Sequence, residues 1–117
     1  MADDLAPFAA FDALRFDRPA PHVLRITLDG PGLNAVGPDA HAQLAAVWRA
    51  VDADAETHVA LLRGAGRGFS AGGSFELIEQ ITDDPDARLR VLREARDLVM
   101  NVIECSSCAA ISLAPFL

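Results

Sequence analysis

The sequence contains no lysine, so all ten of its basic residues are arginine. A phosphate-binding P-loop, which needs Lys followed by Ser or Thr after its last glycine, is thereby excluded. Positive charge is scarce as well: 17 acidic residues stand against 10 basic ones, for a formal charge of -7. That balance argues against long-range attraction to nucleic acid or to an anionic membrane. It leaves room for a single anionic ligand held at short range by arginine and backbone N–H groups. No uninterrupted apolar run approaches the ~20 residues of a membrane span. The N-terminus, MADDLAPFAAFDALRF, carries acidic residues where a secretory leader needs basic ones, so the expected location is cytoplasmic. Cysteine is limited to Cys105 and Cys108. This C-x-x-C follows a long helical pattern instead of opening one, where a helix dipole would stabilise a thiolate, and zinc would need two further ligands. The spacing reads as coincidence, and no metal is expected.

What is present suits one folded domain: 117 residues, 51% of them hydrophobic and 23% charged. The segment FDALRFDRPAPHVLRITLDG predicts two strands joined by a Pro-containing turn, the second carrying Val23, Leu24, Ile26 and Leu28. Pro38 suits the first position of a helix that sets Ala40, Leu44, Val47, Trp48 and Val51 on one face, with Asp39 and His41 solvated in its first turn. His58 opens HVALLRG, a short apolar run expected to be a strand buried on both faces of a parallel sheet. Strand, helix, strand is the order of a βαβ unit. A short helix is expected from about Phe75. A long one follows Asp84-Pro85 and runs to about Glu104, with Leu89, Leu92, Ala95, Val99, Val102 and Ile103 at helical spacing. Its charges, Glu94 among them, read as a solvated face. The tail after Cys105 is small and apolar, as in a final buried strand.

The chemistry concentrates in RGAGRGFSAGGSFEL, residues 63 to 77. Gly68-Phe69-Ser70-Ala71-Gly72 matches the G-x-S-x-G of serine hydrolases, whose acid and His follow the serine in the chain. Here His22, His41 and His58 all precede Ser70, so the nucleophile reading fails. The dinucleotide pattern G-x-G-x-x-G fails too, because Phe69 follows Gly68. What remains is a glycine loop before a helix capped by Ser74. Its N–H groups can approach a ligand closely and stabilise a developing oxyanion, or the glycines can simply turn a corner.

The run GRGFSAGGSFEL behind the strand VALLRG, the upstream LDGPGLNAVGPDAHAQL and the helix end VMNVIECS together resemble the enoyl-CoA hydratase/isomerase (crotonase) superfamily over residues 12 to 106. The resemblance implies an α/β fold with the crotonase-like ββα-type core of the N-terminal portion, in a chain that reads as truncated. Residues 1–11 are then an N-terminal extension and 107–117 a divergent tail. It implies that the backbone N–H of Gly73 is half of an oxyanion hole for an acyl-CoA thioester. Gly32, Leu33, Ala71 and Gly72 would lie along the coenzyme A, with Ala71 at its adenine end. No cofactor beyond that coenzyme A is implied. The family often has Asp where Ser74 stands and a basic residue near Gly32. Its second oxyanion donor, and the two glutamates that handle proton and water, have no counterpart here. The expected partner is an acyl-CoA, with a homotrimer for a complete chain. Hydratase, isomerase and thioester hydrolase stay open as activities, hydration being the leading one. A non-catalytic truncated or frame-shifted fragment, or an interaction module, keeping part of the coenzyme A cradle is the reading from another class.

Overall fold

The computed structural model describes residues 2–112. A 3-10 segment, Ala2–Phe8, precedes β1 (Arg15–Ala20) and β2 (Val23–Leu28). A single turn, α1 (Pro31–Asn34), leads to α2 (Pro38–Ala53), followed by β3 (Val59–Gly64), α3 (Phe75–Asp83), α4 (Pro85–Glu104) and β4 (Cys108–Ser112). The sheet order is β1-β2-β3-β4, with β1 antiparallel to β2 and the other neighbours parallel. A mixed α/β architecture of the expected ββα type results.

The helices begin where their sequences direct. Pro38 and Pro85 open α2 and α4, and the Ser74 and Asp84 side chains cap α3 and α4 by accepting from Leu77 N–H and Asp86 N–H. Leu44, Val47, Trp48 and Val51 of α2 are buried against Leu24, Ile26 and Leu28 of β2 and Ala60 and Leu62 of β3. Phe8, in the stretch read as an extension, joins this core and stacks on Phe16 at 5.2 Å.

Three expectations need correction. β3 alternates between fully and partly buried residues, because helices cover only one face of this sheet among the described residues. β4 is a strand, but Ile111 is 60% exposed, since nothing described packs over it. Leu113–Leu117 lie outside the described residues. In α4 the inward stripe is Ala87, Val91, Glu94, Leu98 and Asn101, while Leu89, Leu92, Val99 and Ile103 are exposed. Polar partners across the interface turn the helix this way: Asn101 donates to Ala45 O at 2.8 Å, and Glu94 meets His41.

One ionic clamp ties the N-terminal segment to the sheet. Arg18 donates to Thr57 Oγ1 at 3.0 Å and Asp54 Oδ2 at 2.8 Å, and ion-pairs with Asp4. Burial pushes the Asp54 carboxyl up, but the Thr57 hydroxyl, Arg18 and the Glu56 N–H outweigh it and hold it below the usual carboxylate value. Its hydrogen bond to Arg25 lowers Asp17, and the Ser106 hydroxyl and N–H lower Asp52. Carboxyls lowered in the folded state contribute stability above the unfolded value of ~3.9, and that stability is lost as pH falls through the lowered values. Arg18→Ala should therefore cost roughly 1.5–3 kcal/mol at pH 7 in urea unfolding. Asp54→Asn should flatten the acid limb of stability against pH. Exposed apolar faces of this kind drive association. Sedimentation should show concentration-dependent self-association, relieved in Val99→Ser/Ile103→Ser without a lower Tm.

Candidate functional site

Because β2 and β3 run parallel, their carboxyl ends lie side by side, the place where open α/β sheets bind ligands. Leu28 leads into α1 and Gly64 into the glycine loop, so the two loops meet. Gly64 has to be glycine: a Cβ there would stand 2.2 Å from Phe69 O. In α1 the backbone turns left-handed at Gly32 (φ 62°), Leu33 (φ 61°) and Asn34 (φ 59°). Glycine and asparagine accept this readily, while leucine pays about 1–2 kcal/mol.

Asn34 is what holds the turn. Its side-chain amide is buried, donates to Ala65 O at 2.7 Å, Gly68 O at 3.1 Å and Phe69 O at 3.2 Å, and accepts from Gly30 N–H at 3.2 Å. Ser70 completes the junction: its hydroxyl donates to Asn34 O at 2.8 Å and accepts from Gly72 N–H at 3.1 Å. Among the described residues no imidazole bonds to it. Ser70 fastens a loop.

A short parallel bridge then aligns the backbone at Gly73. Val36 N–H donates to Gly72 O at 2.7 Å, and Ser74 N–H donates to Val36 O at 2.9 Å. In extended chain successive N–H groups alternate sides, so the N–H of Gly73 points away from Val36. It has no partner among the described residues. Gly73, Val36, Leu77, Ile78, Leu98 and Val102 help line an apolar cleft of about 740 Å³. On the other side of the loop a cleft of about 390 Å³ is lined by Leu33, Arg67, Gly68, Phe69, Ser70 and Ala71. Phe69 and Ser70 border both, so the two clefts adjoin. A third cleft, about 420 Å³, lies at the β1–β2 turn beside the Arg18 clamp, away from these loops.

His41 also lines the larger cleft, which corrects the expectation that it is solvated. Its Nδ1 lies 2.7 Å from Glu94 Oε1, and both side chains are 17% exposed. Sequence reasoning missed the pair, although His41 shares a helical face with Leu44, Ala45 and Trp48. No group of three or more metal-ligating side chains occurs among the described residues, and Cys105 is a free thiol there.

The same fold occurs in known proteins. An enoyl-CoA hydratase/isomerase from Mycobacterium paratuberculosis superposes with a TM-score of 0.79 at 31% identity, over 86% of this chain and 41% of that one. One from Xanthobacter autotrophicus Py2 gives 0.69 at 30% identity, over 86% and 38%. A mevalonyl-coenzyme A hydratase from Beauveria bassiana (strain ARSEF 2860) is 44% identical over 59 residues, 50% of this chain and 21% of that protein. In fold and in sequence the chain resembles the crotonase superfamily. No protein-family model matches it. The chain spans well under half the length of these crotonase relatives.

The residues that the crotonase resemblance singled out converge here. Gly32 and Leu33 form the left-handed turn, and Ala71 N–H donates to Leu33 O at 2.9 Å, which leaves the Ala71 carbonyl without a partner among the described residues. Gly72 donates to Ser70 Oγ within its own loop, accepts from Val36 N–H of the other, and sits at φ 101°, which favours glycine. Asn34→Ala strands three carbonyls and should cost about 2 kcal/mol, against about 1 kcal/mol for Ser70→Ala. Chemical denaturation of the two variants measures the difference.

Proposed function

We propose that the chain binds an acyl-CoA thioester across the two adjoining clefts and, in a complete form of the protein, serves enoyl-CoA hydration, the addition of water to a 2-enoyl thioester. The observation that carries this reading is the partnerless N–H of Gly73 beside an apolar cleft of about 740 Å³. An acyl chain in that cleft sets its thioester carbonyl at Gly73. Water adding to C3 pushes charge onto the carbonyl oxygen, where one preorganised N–H donor is worth about 3 kcal/mol in the transition state.

The coenzyme A part follows the smaller cleft. Gly32 and Leu33 flank it, the Ala71 carbonyl accepts from the adenine amine, and Gly72 keeps the chain close to the ligand. Arg67 lines this cleft without an ion-pair partner among the described residues, and its guanidinium suits a phosphate. The names of the relatives, an enoyl-CoA hydratase/isomerase and a mevalonyl-coenzyme A hydratase, support the same substrate class.

Crotonyl-CoA titrated into the protein should bind saturably, with the red shift of its conjugated thioester absorbance that a hydrogen bond to the carbonyl produces. Gly73→Pro removes the N–H and should abolish the shift while coenzyme A still binds. In a hydratase assay of a chain extended to full family length, the same loss corresponds to about 10² to 10³ in kcat. Ser70→Ala should keep the shift. Failure of crotonyl-CoA to bind, or a shift untouched by Gly73→Pro, overturns the reading.

A further inference from the structure

We propose that His41 and Glu94 form an acid/base pair that moves a proton at the carbon next to the thioester carbonyl, an inference that rests on the acyl-CoA reading. Among the described residues lining the larger cleft, His41 is the only one with an ionisable side chain; the others are apolar, glycine or Ser70. The same cleft is lined by Gly73, so a base and an oxyanion donor border one chamber.

Glu94 sets the state of the imidazole. Its Oε1 lies 2.7 Å from His41 Nδ1, and a carboxylate acceptor places the proton on Nδ1 and the lone pair on Nε2. His41 Nε2 has no partner among the described residues. The other oxygen of Glu94 is 3.8 Å from Arg90 Nε, the one further charged group that pairs with either residue among the described residues. Both residues ride on long helices locked together by the buried bond from Asn101 to Ala45 O, so the pair has a rigid frame.

The step balances without a co-reactant. Nε2 takes a proton from C2 of the acyl thioester, and the C–H electron pair becomes the C1–C2 double bond. The carbonyl π pair moves onto oxygen, facing the Gly73 N–H. Collapse of the enolate returns a proton from Nε2 to C2. In D2O the imidazole exchanges its proton with solvent between the two events, so deuterium enters C2 and nothing is oxidised or reduced.

Incubating the protein with butyryl-CoA in D2O and following the C2 protons by NMR tests this. Exchange should exceed the protein-free rate. His41→Gln should lower it by roughly 100-fold or more, with the butyryl-CoA dissociation constant unchanged. Glu94→Ala should lower the rate at constant affinity, and Glu94→Gln, whose amide oxygen still accepts from Nδ1, should recover part of it. A purely structural contact would change the melt instead. In the wild-type protein, an unreactive thioether analogue of butyryl-CoA should shift the ring-nitrogen resonances of His41 and leave those of His22 and His58 in place, a readout independent of any variant's folding. Saturable binding without exchange, exchange undiminished in His41→Gln, or unmoved His41 resonances overturns the pair and leaves the acyl-CoA reading standing. Absence of butyryl-CoA binding overturns both.

Discussion

The buried amide of Asn34 is the contact on which the site depends. Parallel pairing of β2 and β3 brings two loops to the same edge of the sheet, but adjacency alone would leave their backbones unregistered. The Asn34 side chain, in a left-handed turn, reaches three carbonyls of the neighbouring loop, and the backbone carbonyl of Asn34 accepts from the Ser70 hydroxyl. Buried amides left without partners are costly, so the two loops are held as a unit. The bridge between Val36 and Gly73 follows from that alignment, and with it the outward aim of a single N–H.

This arrangement gives the serine of a G-x-S-x-G sequence a structural part in joining the loops. The hydroxyl of Ser70 is occupied on both its donor and acceptor sides by loop backbone, whereas the N–H left without a partner among the described residues belongs to Gly73. A Cβ on Gly73 would lie 3.3 Å from Leu77 Cδ2, a tight contact that the leucine would have to yield to by a few tenths of an ångström. Backbone chemistry of this kind leaves only a faint mark in sequence, a pair of glycines ahead of a cap.

The long helix shows a second way in which local pattern and tertiary role part company. Its apolar residues recur at the spacing of a buried stripe, yet Leu92, Val99 and Ile103 face out, and Glu94 and Asn101 face in. Hydrogen bonds to His41 and Ala45 O supply the polar residues with partners that solvent would otherwise provide. Nothing in the periodicity of α4 alone distinguishes the two orientations, because both faces repeat at the helical period.

Local chemistry was readable directly. The prolines at 38 and 85, the caps at Ser74 and Asp84, the apolar alternation of β2 and the glycines at 64, 72 and 73 each act within a few residues of themselves. They determined the elements, their order and the glycine loop, and the paired loop signatures carried the family resemblance. Tertiary structure decided everything that joins residues far apart in the chain. Asn34 with Phe69, His41 with Glu94, Arg18 with Asp54 and the open face of β4 are separations of tens of residues whose pairing depends on strand register and helix rotation. Those are set by packing of the whole domain, and a one-dimensional pattern holds no term for them.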